Sequence, residues 1–89
     1  MEKFVVWGKY CKDVIKKRKN FRDEHLNRLS LLKEKNILIT LGPTKCTKYM
    51  FGIFNANNEN EVRELIEEDI YWKQGIWISI EIHHWIKAF

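Results

Sequence analysis

The sequence predicts one α+β domain, spanning residues 1–89, in which strands and helices follow the order βαββαβ. Three observations lead to this prediction. The length of 89 residues is enough for one hydrophobic core but leaves no room for a second. A composition of 45% hydrophobic and 31% charged residues is that of a folded globular domain. Two segments with helical periodicity alternate with four short runs rich in β-branched and aromatic residues.

The first half of the chain is predicted to contain two strands and the longer helix. Lys3–Tyr10 is β-branched and aromatic, which is typical of a strand, and the periodicity becomes helical over Asp13–Lys35. Asn36 is a suitable end for that helix because asparagine tolerates the left-handed conformation. Ile37–Leu41 is the second strand, and Gly42-Pro43 is expected to end it.

The second half repeats the arrangement with a shorter helix. Tyr49–Asn55 is predicted to be the third strand. Asn57 or Asn58 can cap a helix that is expected to end near Asp69. Tyr71–Gly75 then turns the chain into the last strand, Ile76–Trp85.

The predicted order favours a ferredoxin-like sandwich, in which four antiparallel strands carry two helices on one face. A sheet covered on one face alone would show apolar residues at alternate positions only. In the first strand, however, Phe4 and Val6 alternate with Val5 and Trp7, and the second and third strands are also apolar on both sides. The last strand differs, because Ile76, Ile78, Ile80 and Ile82 form one clean apolar face.

The second apolar face of the sheet needs a cover that 89 residues cannot provide. A large exposed apolar sheet is unusual in a soluble monomer. Packing against a second copy is the most economical cover, and we therefore expect a homodimer formed through the sheet faces.

Charge and cysteine content indicate a soluble cytoplasmic protein. The net charge of +4 is concentrated at Lys12 and Lys16–Lys19, a cluster that is usually a solvated helix face, so a nucleic-acid partner is not expected. Cys11 and Cys46 lack the spacing of a zinc site and are expected to be free thiols. No apolar run approaches the ~18 residues of a membrane span, so no membrane association is expected.

His25 is the most informative candidate residue, because it lies within the apolar stripe of the first helix. Phe21, Leu29 and Leu32 share the same arc at about 100° per residue. A buried imidazole needs a hydrogen-bond partner, and a core histidine that donates to a backbone carbonyl would satisfy this need without any catalytic role.

Asp69 makes a functional interpretation of His25 attractive. In this fold both helices lie on the same face of the sheet, so one residue from each can meet above it. A carboxylate beside an imidazole orients one ring nitrogen and leaves the other free for proton transfer. Asp69 could equally be a solvated acid at a helix end, because Glu67 and Glu68 precede it.

Other chemistry has less support. His83 and His84 are neighbours on a strand, so they point to opposite faces and cannot share one metal ion. Ser79 lacks the glycines of a nucleophile elbow, and the four isolated glycines form no phosphate-binding loop. The third strand also lacks the RNP1 register of an RNA-binding sheet.

Four segments resemble the YciI-like (YCII-related) proteins, a family of the dimeric α+β barrel group. They are the opening strand KFVVWGKY, Arg22-x-x-His25-Leu26, Gly42-Pro43, and Asp69-x-Tyr71-x-x-x-Gly75, and the closing Glu81-Ile82 and Trp85 are similar as well. The resemblance covers nearly the whole chain. This sequence departs from the family pattern at Ile70, where proline is usual, and at Met50, where serine is frequent.

The resemblance implies a ferredoxin-like fold that dimerises through its sheets into an α+β barrel. It also implies a histidine–aspartate pair at a pocket, which corresponds to His25 and Asp69. Related barrel proteins include muconolactone isomerases and a dehydrochlorinase of a chlorinated hydroxyquinol, which act on small cyclic metabolites without a metal.

Our leading hypothesis is therefore a small-molecule enzyme of isomerase or lyase type. His25 would be the general acid/base and Asp69 its orienting partner, while Arg22 would attract a small organic acid or cyclic metabolite. The pocket walls are expected to comprise Trp7, Tyr71, Gly42 and Pro43, and we expect no metal or other cofactor. Two alternatives remain: a non-catalytic binding or assembly module with a structural His25–Asp69 pair, and a nucleic-acid binder.

Overall fold

The bounds of the helices and strands come from a computed structural model that describes residues 1–89. The strands are β1 (Glu2–Tyr10), β2 (Leu38–Pro43), β3 (Tyr49–Ala56) and β4 (Trp77–Trp85). The helices are α1 (Val14–Lys17), α2 (Arg22–Glu34), α3 (Glu59–Glu67) and α4 (Ile70–Lys73). A short 3-10 helix, Arg18–Asn20, joins α1 to α2.

The four strands form one antiparallel sheet in the order β2-β3-β1-β4. This order and the helices between the strands define a ferredoxin-like α+β fold, as the sequence predicts. Alternate residues of β1 point into the core, which also contains Met50 and Phe54 of β3 and Val62 and Ile66 of α3. Burial of each large apolar side chain stabilises the fold by about 1.5–3 kcal/mol. No helix is both long and apolar enough to cross a membrane.

The helix predicted over Asp13–Lys35 is interrupted, and that prediction is wrong. Asp13 has a left-handed backbone with φ of 57°, and Phe21 leaves the helical region with φ of −121° and ψ of −6°. Four of the seven residues between them are basic and none is acidic, so they cannot form the opposite-charge pairs that support a helix turn. Asn20, a poor helix former, precedes the break. The main helix, α2, therefore begins only at Arg22.

The predicted signals around α2 and α3 are confirmed. Asn36 has φ of 60°, as expected for the residue that ends a helix in the left-handed conformation. The Asn58 side chain accepts a hydrogen bond from the Glu61 amide at 2.9 Å, and Glu61 in turn accepts one from the Asn57 amide. This reciprocal arrangement resembles a capping box and sets the start of α3.

Two predicted ends of elements are corrected. β2 does not stop at Leu41, as predicted, but continues through Gly42 and ends at Pro43. Proline is tolerated there because β2 is an edge strand, where one row of backbone groups has no ladder partner. Asp69 is not the end of α3, which stops at Glu67, and the predicted turn after it is the one-turn helix α4.

A β-bulge in β4 corrects the predicted face of that strand. Lys9 pairs with Ser79, whereas Tyr10 pairs with Trp77, so Ile78 is an extra residue in β4. The isoleucines from Ile76 to Ile82 therefore do not share one face. Ile78 is 57% exposed, while the Trp77 side chain is buried beneath the helices.

The sheet face opposite the helices carries an apolar centre, as the sequence predicts. Trp7 of β1 lies against Phe51 of β3, with ring centroids 4.7 Å apart, and both project from this face. Val5 and Ile53 pair beside them and are only partly covered. We call this patch of Val5, Trp7, Phe51 and Ile53 the outer apolar face.

Candidate functional site

His25 and Asp69 form a buried hydrogen-bonded pair between α2 and the start of α4. His25 Nδ1 lies 2.8 Å from Asp69 Oδ1, and the two residues are 4% and 0% exposed. His25 is on the first full turn of α2, whose register points its ring toward the sheet. The predicted meeting of the two side chains is therefore present.

The Asp69 carboxylate is held by two further hydrogen bonds, and the arginine that makes one of them is itself anchored. Its Oδ1 accepts a hydrogen bond from the Tyr71 amide at 2.9 Å, which is the cap of α4. Its Oδ2 accepts one from Arg28 Nη1 at 3.1 Å, and Arg28 Nη2 donates to the Leu65 carbonyl at 2.8 Å. The guanidinium compensates the charge of a carboxylate that is closed to solvent, as buried charge requires.

These contacts determine which nitrogen of His25 carries the proton in the neutral ring. Asp69 is an ionised acceptor, because Arg28 pairs with it. Nδ1 therefore donates its proton to Asp69, and Nε2 presents a lone pair. Nε2 has no hydrogen-bond partner in the protein, and it is not among the buried polar atoms that are closed to solvent.

Two aromatic rings fix the plane of the imidazole. Tyr71 stacks on His25 with ring centroids 3.7 Å apart and planes 11° from parallel. Trp77 meets the His25 ring edge-on, with centroids 5.1 Å apart. Both aromatic residues are almost completely buried, so the imidazole has little freedom to rotate away from Asp69.

A pocket of about 60 Å³ opens beside His25, between α2 and the edge strand β2. Its wall combines apolar, aromatic and cationic side chains. The residues that line it are Tyr10, Arg18, Arg22, His25, Leu26, Leu29, Leu41, Gly42, Pro43 and Tyr71.

Most of the predicted site residues meet at this pocket, but Trp7 does not. Arg22, Gly42, Pro43 and Tyr71 all line it together with His25. Trp7 projects from the other side of the sheet, where it is 46% exposed, so its predicted place in the pocket wall is wrong. Its position in β1 differs by one residue from that of the inward-facing Val6 and Gly8, which explains the error.

The two departures from the family pattern leave the site geometry intact. Ile70 is the first residue of α4, and Asp69 still caps that helix without a following proline. Met50 is fully buried in the core and is not part of the pocket wall. A Cβ on Gly8 would lie 2.7 Å from Met50 Cγ, so the glycine provides the space that Met50 occupies.

Several residues of the site are not predicted from the sequence, including Arg28, Tyr10 and Arg18. Arg28 lies three positions after His25 and therefore on the same side of α2, which was an available signal. Tyr10 continues the inward alternation of β1 and lines the pocket at its end. Arg18 was counted among the solvated basic cluster, although the break before α2 brings it to the pocket beside Arg22.

The other candidate residues remain on the surface. His83 Nε2 lies 3.8 Å from a carboxylate oxygen of Glu81, and His84 Nε2 lies 3.7 Å from one of Glu2. Both histidines are exposed. No group of three or more histidine, cysteine, aspartate or glutamate side chains is arranged to hold a metal ion.

The two tyrosines at the pocket are held in their neutral form. Burial raises the pKa of Tyr10 and the pKa of Tyr71 above the usual value of 10.0. The nearby Arg18 and Arg22 oppose the rise in both cases, because a positive charge favours a phenolate. Both hydroxyls therefore keep their protons throughout the physiological range.

We expect the protein to lose stability as the pH rises above ~10. A pKa that is higher in the folded chain contributes stability that is complete below the unfolded value and is lost as the pH passes through the folded value. The melting temperature should begin to fall as the pH rises past ~10, and the fall should be shallower in the double variant Tyr10→Phe, Tyr71→Phe. An equally steep fall in that variant would contradict the assignment to these two tyrosines.

The fold and the site together define a small ferredoxin-like α+β protein with a histidine–aspartate pocket. The sequence pattern of the YCII-related domain family matches residues 2–86, and the chain belongs to that family. No curated protein matches the sequence as a relative.

Solved structures share the fold, and one of them does so over nearly the whole chain. It is the 5-chloro-2-hydroxyhydroquinone dehydrochlorinase from Burkholderia phenoliruptrix AC1100, in complex with 2,5-dihydroxybenzoquinone. The similarity covers 97% of this chain and 95% of that one, with a TM-score of 0.82 and 23% sequence identity. At that identity, the likeness establishes the shared fold alone.

Proposed function

We propose that the protein is a small-molecule enzyme that uses His25 for proton transfer in an isomerisation or elimination. The observation that carries this proposal is the hydrogen bond from His25 Nδ1 to Asp69, with Nε2 left without a protein partner beside a pocket. A nitrogen base must face the proton that it removes, and the second nitrogen must be held so that the ring keeps its orientation.

The proposed reactions require a base that removes a proton from the substrate and then passes that proton on, either back to the substrate or to solvent. His25 Nε2 removes a proton from a carbon next to a carbonyl group, and the electron pair of the broken C–H bond moves toward the carbonyl oxygen to give an enolate. In an isomerisation, the imidazolium returns the proton to a different carbon. In an elimination, the electron pair expels a leaving group such as chloride, and the proton is later released to solvent. Asp69 stabilises the imidazolium in both cases.

The substrate class follows from the pocket lining. Arg22 supplies a cation at the rim, which suits a small organic acid or an acidic hydroxylated ring. The structural neighbour is a dehydrochlorinase in complex with a dihydroxybenzoquinone, which supports a small oxygenated cyclic compound as one substrate type.

The test is a substrate panel assayed with the wild-type protein and with His25→Gln. The panel contains chlorinated hydroxyhydroquinones, hydroxyquinones and small hydroxy and oxo acids. Chloride release reports elimination, and exchange of carbon-bound hydrogen in D₂O, followed by NMR, reports proton abstraction.

We expect the glutamine variant to lose turnover by about 10²–10⁴-fold. His84→Gln, which removes an exposed histidine, is the matched control and should keep full activity. Unchanged activity in His25→Gln would exclude His25 as the acid/base.

A structural role is the second candidate, and a specific observation favours it. Asp69 caps α4 and anchors Arg28 as well as contacting His25, so the pair also holds α2 against α4. In that case the protein would be a non-catalytic binding or assembly module. No panel compound would then be turned over, and His25→Asn would keep the binding function.

We further infer that the protein acts as a homodimer through the outer apolar face. Trp7 is 46% exposed in the single chain, and Tyr49, 44% exposed, extends the patch along β3. A face with this many partly covered aromatic side chains is typical of a surface that packs against a partner. The two sheets would then face each other and complete the dimeric barrel.

A further inference from the structure

Tyr10 lines the pocket with a hydroxyl group that has no hydrogen-bond partner in the protein. The residue is the last of β1 and only 8% exposed, yet its hydroxyl makes no hydrogen bond to any protein group. The hydroxyl is also not among the polar atoms closed to solvent, so it can reach a molecule in the pocket.

The surroundings of Tyr10 favour negative charge. Arg18 and Arg22 line the same pocket, and neither forms an ion pair with a carboxylate of the chain. The Trp77 indole N–H is also completely buried and has no hydrogen-bond partner. It lies near the Tyr10 hydroxyl, where it favours the phenolate, although it falls outside hydrogen-bond geometry with that oxygen. Arg18 and Arg22, which line the pocket with Tyr10, would both stabilise an anionic oxygen placed beside its hydroxyl.

We propose that Tyr10, Arg18 and Arg22 form an oxyanion-binding subsite, which accepts a carboxylate or enolate oxygen of the substrate opposite His25. The Tyr10 hydroxyl donates a hydrogen bond to that oxygen, and the two guanidinium groups compensate its charge. This inference rests on the proposed function, because it assigns the group that stabilises the charge created when His25 removes a proton.

The size of the pocket agrees with this assignment. A volume of about 60 Å³ holds only a few non-hydrogen atoms. The enclosed part of the substrate is therefore its reacting end, such as a carboxylate with its neighbouring carbon, and a larger remainder would extend out of the pocket. Since Tyr10 is neutral, it is a donor to an oxyanion rather than a competing negative charge.

Binding measurements can test the subsite without any turnover. Acetate, glycolate and benzoate are titrated against the protein, each with its uncharged amide as the comparison, and affinity is measured by NMR chemical-shift changes. We expect the carboxylates to bind at least ~10-fold more tightly than the amides. Tyr10→Phe keeps the ring and should weaken carboxylate binding by about 5–10-fold, with little change for the amides.

A separate variant tests whether Arg18 and Arg22 contribute to carboxylate binding. The double variant Arg18→Gln, Arg22→Gln should remove the preference for carboxylates over amides. Lys33→Gln, at the exposed far end of α2, removes a charge elsewhere on the same helix and should keep the preference. Full carboxylate selectivity in both Tyr10→Phe and the double arginine variant would overturn the proposal.

The subsite and the proposed enzyme can fail separately. Selective carboxylate binding that depends on Tyr10 and the arginines supports the subsite even if no panel compound is turned over. Turnover that requires His25 but does not change in Tyr10→Phe would support the enzyme and overturn the role of Tyr10. In a substrate assay, Tyr10→Phe should lower kcat more than it raises KM, because the bond strengthens as charge develops on the oxygen.

Discussion

Asp69→Ala is expected to destabilise the protein by about 3 kcal/mol, near the lower end of the range for breaking a buried ion pair. Three donors would lose their acceptor at once: His25 Nδ1, the Tyr71 amide and Arg28 Nη1. The Arg28 side chain is 25% exposed, so water can solvate part of the stranded guanidinium and moderate the cost. Urea denaturation, with ΔG compared at a constant m-value, measures the change.

Two further variants separate charge from packing. Asp69→Asn keeps the size of the side chain and one acceptor oxygen but removes the charge, so its loss of stability should be smaller than that of the alanine variant. Glu68→Ala is the matched control, because Glu68 is exposed and lies 3.7 Å from the same guanidinium. It should change stability by less than ~0.5 kcal/mol. Equal effects of Asp69→Ala and Glu68→Ala would show that the buried pair does not stabilise the fold.

Ile53→Lys is expected to convert the proposed dimer into a folded monomer. Ile53 pairs with Val5 at the centre of the outer apolar face. A lysine there is solvated in a single chain, but in a sheet-to-sheet interface it would bring an unpaired charge into an apolar layer. We expect the dimer dissociation constant to rise at least ~10³-fold, since an uncompensated buried charge costs several kcal/mol.

Sedimentation velocity over a range of concentrations measures this dissociation, and circular dichroism checks that the monomer is folded. Leu31→Lys provides the matched control, because Leu31 is 57% exposed on α2 and lies away from the outer apolar face. The Leu31→Lys variant should remain dimeric. A wild-type protein that sediments as a monomer at all concentrations would reject the dimer, and a dimeric Ile53→Lys would place the interface elsewhere.

The sequence predicts the fold and the central pair because the relevant signals are local or periodic. Alternation in β1, the capping signal at Asn58 and the left-handed stop at Asn36 each depend on a few neighbouring residues. His25 was identifiable because a polar ring in an apolar stripe is an exception to the pattern. Its meeting with Asp69 followed from the fold, since both helices lie on one face of the sheet.

The remaining features depend on tertiary geometry that no local pattern records. The role of Asp69 as the cap of α4 is not predicted because α4 is a single turn of four residues, too short to show a helical period. Arg18 was assigned to the solvent because the interruption before α2, which turns it to the pocket, was not predicted. Trp7 was assigned to the pocket although the alternation of β1 places it with Val5 on the other face.

Because Ile78 is an extra residue in β4, the alternation of inward-facing and outward-facing side chains reverses at this point of the strand. Beyond it, even-numbered residues such as Ile82 face the interior, whereas before it the odd-numbered Trp77 does. The extra residue Ile78 thereby lets the Trp77 indole face the His25 imidazole while Ser79 and Glu81 remain exposed. One strand can thus place Trp77 against His25 on one face of the sheet while its neighbouring residues remain on the opposite face.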